Sequence, residues 1–113
     1  PLTITPDKPL RDALAMMETH RISGIPVVDG KQASNKLVGI LTNRDVRFAT
    51  DPKQKVADLM TRTVVTVKDG TATDEARRLL HEHRIEKLVV VDGEDNCIGL
   101  ITVKDMEKAQ NHP

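Results

Sequence analysis

Apolar residues fall along this chain in two rhythms that alternate. Leu10, Ala13, Leu14 and Met17 recur at three- and four-residue intervals, which puts them on one face of a helix reaching about His20. Pro9 suits the first position of that helix, where a missing N–H costs nothing. Ile25-Pro26-Val27-Val28 and the run from Leu37 to Leu41 are short and continuously apolar, the pattern of buried strands. Asp29-Gly30 and the polar stretch to Lys36 make the turn between them. Upstream, Thr3-Ile4-Thr5 is a short extended segment that Pro6 limits. Downstream, Thr42 opens a second helix running to about Ala49. Asp51-Pro52 then breaks the chain, and Val56 to Met60 reads as one helical turn.

The pattern then starts again. Thr66-Val67 answers Thr3-Ile4, His83-Arg84-Ile85 answers His20-Arg21-Ile22, and Val90-Val91-Asp92-Gly93 answers Val27-Val28-Asp29-Gly30 at an offset of 63 residues. After this turn the offset is 60, so the first repeat carries a loop three residues longer. Surface loops accept such changes and strands do not, which supports the strands on either side. Thr71 and Asp74 are spaced as a capping pair for the second long helix, with Ala76, Leu79 and Leu80 facing inward. Each repeat reads strand, helix, strand, strand, helix, an α+β class, with repeats over residues 1–60 and 61–113. The central strands are apolar along nearly their whole length and need cover on both faces. A half-chain of about 55 residues has too little core to supply it alone, so the repeats are expected to pack as a pseudo-twofold pair.

Composition narrows the function. Seventeen basic and 17 acidic side chains cancel and are interspersed, so no basic nucleic-acid surface is suggested. One phenylalanine and no tyrosine or tryptophan leave almost nothing for base stacking. No apolar run approaches the roughly 20 residues of a membrane-spanning helix, and no signal-peptide pattern is present. Cys97 is the single cysteine, so no internal disulfide can form, which fits a reducing, cytoplasmic setting. The chain opens on Pro1-Leu2 with no initiator methionine and reads as a piece of a longer protein. No metal-ligand spacing, no nucleophile–base pair and no phosphate- or dinucleotide-binding glycine motif appears, so no catalytic or metal residue is assigned.

The chemistry that remains sits at two corners. Gly39-Ile40-Leu41-Thr42-Asn43-Arg44-Asp45 and Gly99-Leu100-Ile101-Thr102-Val103-Lys104-Asp105 each end an apolar run on a threonine, with an acid three residues on. Thr-x-x-Asp at a helix start is either a cap or a site. A hydroxyl, a carboxylate and free backbone N–H groups at one strand-to-helix corner can hold a sugar and a phosphate. Arg44, Arg47, Lys87 and Lys104 are either solvated surface or phosphate ligands, arginine through its planar fork and lysine as a point charge. Lys87 precedes the apolar strand of the second repeat, where the first has Gly24, so the two sites should be unequal. His20 and His83 sit where helices end, and either favour the negative end of the dipole, the preferred reading, or contact phosphate. Cys97 aligns with Leu37 as strand core. The methionines fill gaps or form an interface.

These tandem motifs, with Val27-Val28-Asp29 and Val90-Val91-Asp92 before them, resemble a cystathionine-β-synthase (CBS) domain pair, or Bateman module. Gly39 to Phe48, His83 to Leu88 and Lys104 to Ala109 are similar to the pair within inosine-5′-monophosphate (IMP) dehydrogenases. The resemblance covers essentially the whole chain and implies a regulatory insert that is itself non-catalytic. It implies binding of purine nucleotides of the ATP, ADP or GTP class, with Asp45 and Asp105 accepting hydrogen bonds from ribose hydroxyls. It places Thr3, Thr42, Thr66 and Thr102 beside sugar or phosphate. It also implies partners: a second CBS pair, and a separate NAD-dependent (β/α)8 barrel in the parent chain. The competing reading is a structural or oligomerising module that binds no nucleotide.

Overall fold

The computed structural model describes residues 2–31 and 34–105. The chain divides into two compact units between Val64 and Val65.

In the first unit, helix α1 (Leu10–His20) buries Leu10, Ala13 and Met17. Leu14, expected on the same face, is 42% exposed. Pro9 stands at the N-cap and supplies no side-chain cap, so the first amides need other acceptors. They find them far along the chain: Leu10 N–H donates to the Gln54 carbonyl at 2.7 Å and Arg11 N–H to that of Pro52 at 3.0 Å. Val56 and Ala57 donate in return to Lys8 and Pro6. The segment after the Asp51-Pro52 break therefore folds back over the start of α1, carrying the short helix α3 (Val56–Leu59) with it.

Strand β1 (Gly24–Val28) is buried throughout and pairs antiparallel with β2 (Leu37–Thr42), Gly24 opposite Thr42 and Val27 opposite Gly39. The extended segment expected at Thr3-Thr5 contributes a single parallel bridge, Ile4 to Val27. On the other edge of this hairpin, Ile40 and Thr61 exchange both backbone hydrogen bonds at 2.9 and 2.8 Å. Ile4, Ala13, Met17, Ile25, Val27, Leu41, Val56 and Met60 form the core, so the returning segment supplies two of its members. The helix expected from Thr42 to Ala49 is shorter: α2 spans Asn43–Val46 and buries none of its residues. No apolar face rewards another turn, and Phe48 is left 86% exposed.

In the second unit, β3 (Thr66–Lys68) runs parallel to β4 (Lys87–Val91), which pairs antiparallel with β5 (Cys97–Thr102). Helix α4 (Thr73–Glu82) buries Ala76 and Leu80 against Val67 and Leu88. Its expected cap does not form. Ala72 is the N-cap, the Thr71 hydroxyl donates to the Lys68 carbonyl, and Asp74 pairs with Arg77 at 3.3 Å. The turn residues Lys68–Thr71 take the hydroxyl before the helix can. A further helical segment begins at residues 103–105. The motif stretch Met106 to Ala109 lies outside the described residues.

Both long helices stop in the same way. Arg21 and Arg84 stand just beyond them at φ 53° and 54°. This left-handed geometry ends many helices and is usually given to glycine, because a Cβ is strained there. The repeated His-Arg-Ile is therefore the helix stop.

Candidate functional site

The two Thr-x-x-Asp corners form as capping boxes. At the first, Asp45 Oδ2 accepts from the Thr42 N–H at 2.8 Å and from the Thr42 hydroxyl at 3.2 Å. At the second, Asp105 Oδ2 accepts from the Thr102 N–H at 2.9 Å, and the Asp105 N–H donates to the Thr102 hydroxyl at 3.2 Å. The next amide is also satisfied at each corner. Asn43 N–H donates to the Ser23 carbonyl at 2.9 Å and Val103 N–H to the Glu86 carbonyl at 3.0 Å. These carbonyls sit at matching points, just before β1 and β4, so they fix the corner to its own hairpin. The expectation of free N–H groups is corrected on this point. The first two amides of each corner are bound internally, because a buried or half-buried helix start must satisfy them.

A carboxylate offers about four acceptor positions and no donor. Asp45 uses a third: its Oδ1 accepts from the Thr61 hydroxyl at 2.9 Å. Asp105 Oδ1 has no partner among the described residues. Thr61 escapes sequence reasoning because it lies 16 residues from Asp45 and belongs to no local motif. Its only signal is Gly39. A Cβ there would lie 2.8 Å from the Thr61 carbonyl oxygen and 3.0 Å from Met60 Sδ, so the glycine marks where another backbone crosses.

The other candidates distribute unevenly. Lys87 opens β4 directly across from Thr102, so Lys87, Thr102 and Asp105 come together, with Lys104 exposed on the same short helical segment. Gly24 faces Thr42 at the equivalent place in the first unit. Arg44 lies on α2 and Arg47 is its C-cap residue, both exposed. Thr66 is exposed in β3 opposite Val89. Thr3 lines a depression of about 470 Å³ with Thr5, Lys8, Asp12 and Met16. Cys97 is buried in β5, its S–H directed to the Gly99 carbonyl at 3.9 Å, and burial pushes its thiol pKa up, so it is a poor nucleophile. Among the described residues no group of three or more His, Cys, Asp or Glu could hold a metal ion. No described helix is long and apolar enough to cross a membrane.

A sequence profile of the CBS domain matches residues 1–51 and again residues 56–112. The chain is 57% identical over 115 aligned residues to inosine-5′-monophosphate dehydrogenase of Rhizobium tropici, covering 100% of this chain and 22% of that one. The enzyme of the same name from Bacillus subtilis is 46% identical, again across the whole chain and 23% of the relative. The chain thus spans under a quarter of the length of these relatives. Among solved structures, a putative signal-transduction protein with CBS domains from Burkholderia ambifaria superposes with a TM-score of 0.84 at 32% identity, covering 96% of this chain and 81% of that one. CBSX2 in complex with AMP gives a TM-score of 0.82 at 27% identity, covering 96% and 86%. GMP reductase from Trypanosoma brucei in complex with guanosine 5′-triphosphate gives 0.86 at 26% identity, covering 97% of this chain and 27% of that one. The duplicated hairpin-and-corner unit, matched twice in tandem, makes the chain a member of the CBS domain family, as a pair of such domains with its high-identity relatives among the IMP dehydrogenases.

Proposed function

We propose that this CBS pair is a regulatory purine-nucleotide-binding module of an IMP dehydrogenase, a cytoplasmic enzyme of guanine nucleotide synthesis, and is itself non-catalytic. The observation that carries the reading is the duplicated carboxylate. Each corner presents one, held in a fixed orientation by its own threonine, with acceptor capacity beyond the cap that at Asp45 is shared with the Thr61 hydroxyl. A ribose diol needs rigid acceptors, and a carboxylate is the side chain that offers only acceptors. Two relatives of the fold solved with AMP and with guanosine triphosphate support the ligand class.

In this reading Asp45 and Asp105 hold ribose, and Thr3, Thr42, Thr66 and Thr102 contact sugar or phosphate. Lys87 and Lys104 at the second corner, and Arg44 and Arg47 at the first, neutralise phosphate. Nucleotide binding transmits to the catalytic barrel, or to a second CBS pair, only so far as the ligand prefers one arrangement of the module over another. NAD in this reading belongs to that barrel. Isothermal titration of the chain with ATP and with GTP, with and without Mg²⁺, tests the reading. Saturable binding is expected, weakened by Asp105→Ala. No binding at millimolar nucleotide rejects it in favour of a purely structural module.

A further inference from the structure

Asp45 is engaged by a residue from outside its own motif, and Asp105 is not so engaged among the described residues. The Thr61 hydroxyl sits on Asp45 Oδ1 at 2.9 Å, while Oδ2 carries both the amide and the hydroxyl of Thr42. Three of about four acceptor positions are occupied. A cis-diol donates two hydrogen bonds, so this corner cannot accept both while Thr61 holds its place.

Thr61 is not held there by its hydroxyl alone. Its backbone exchanges two hydrogen bonds with Ile40, and Gly39 leaves room for its carbonyl at the crossing point. The side chain itself is exposed. The backbone is thus anchored while the exposed side chain has other staggered χ1 positions open to it. Thr61 lies three residues before the point where the chain passes into the second unit.

We infer that Thr61 is a competing internal ligand of the first corner: its hydroxyl occupies the acceptor that a ribose diol requires, so the corner fills only when Thr61 gives way. The inference rests on the nucleotide reading above and adds a residue and a direction of regulation to it. The two corners then differ in affinity for a reason independent of their cations. Occupancy of the first releases a side-chain tie on the very segment that joins the repeats, which gives ligand binding a means of loosening that segment.

The test uses the full chain carrying Asp105→Ala, so that titration reports the first corner. In that background Thr61→Val removes the hydroxyl and keeps the branched shape and the backbone bonds. It should tighten ATP about fivefold, the scale of one net hydrogen bond. Thr61→Ser keeps the hydroxyl and should match the parent. 2′-Deoxy-ATP, with one ribose hydroxyl fewer to place, should gain about twofold or less from Thr61→Val. If ATP affinity is unchanged or weakened by Thr61→Val, or if Thr61→Val and Thr61→Ser behave alike, the competing role is overturned. If the chain without substitutions binds no nucleotide at all, the nucleotide reading itself fails, a separate result from either of these.

Discussion

The two repeats share a pattern and differ in what the rest of the chain does to it. In the first, residues 51–61 return across the unit: they satisfy the start of α1, pair with the edge of β2 and place a hydroxyl on Asp45. In the second, no described segment plays that part; β3 lies along β4 just as the Ile4 segment lies along β1, so that feature is common to both. The same Gly-h-h-Thr-x-x-Asp therefore means different things in its two copies. In the first, a distant segment crosses both glycine and acid, its backbone over the one and its hydroxyl on the other. In the second, they answer to their own hairpin.

Glycine gives the widest separation. A methyl at Gly39 meets the Thr61 carbonyl oxygen at 2.8 Å, a backbone atom that cannot step aside without breaking its pairing with Ile40. A methyl at Gly99 meets only the Val90 side chain at 3.7 Å, ordinary contact. Gly39→Ala should cost about 2 kcal/mol or more, as overpacking against backbone does. Gly99→Ala should be neutral, or stabilise by about 0.5 kcal/mol through the unfolded chain. Urea unfolding of both variants decides the matter, and equal midpoints would mean that the crossing segment does not constrain the first hairpin.

The acids separate by less. Among the described residues Asp45 accepts three hydrogen bonds, one of them long-range, and Asp105 accepts one. Asp45→Ala should destabilise by about 1–2 kcal/mol and Asp105→Ala by about 1 kcal/mol or less, the range of a lost cap. In a double-mutant cycle Thr61→Val should couple to Asp45→Ala and not to Asp105→Ala. Thermal unfolding without nucleotide isolates this structural share from any effect on binding.

How much of this the sequence discloses depends on whether the cause is local. The long helices, the hairpins and both corners are legible because periodicity, turn residues and Thr-x-x-Asp spacing act within a few positions. The stop at Arg21 and Arg84 shows only as a repeated His-Arg-Ile, since the left-handed residue is not the glycine that geometry favours. The length of α2 is misread because the residues Arg47-Phe48-Ala49 suit a helix well enough. What ends it is the lack of anything to bury against. Thr71 is misassigned because two acceptable partners compete for one hydroxyl, and the Lys68 carbonyl wins. Thr61 is the deepest omission. Its role exists only once a segment has folded back across 16 residues, and no local pattern encodes that return.

The hairpin turns carry the smallest contrast, and pH exposes it. The first repeat closes its turn on Gly30 at φ 75°, where a Cβ would lie 2.5 Å from Thr5 Cγ2. The second closes on a carboxylate: Asp92 accepts from the amides of Asn96 at 3.0 Å and Glu94 at 2.9 Å and from the Asn96 side chain at 3.2 Å, while Asp95 takes the left-handed position at φ 66°. Those donors, led by the Asn96 amide, hold the Asp92 carboxyl below the usual carboxylate range. Its folded pKa lies below its unfolded one, so the unfolded chain binds the proton first as pH falls. The turn's contribution is therefore fully present above the ordinary carboxylate range and is lost as pH drops through the depressed folded value. Asp92→Asn should destabilise the protein near neutral pH, and the difference from the parent should shrink steadily below about pH 4. Parallel unfolding curves for Asp92→Asn and the parent from neutral to acid pH give the answer. A gap at Asp92 that stays constant across that range would mean the turn is held by its backbone alone.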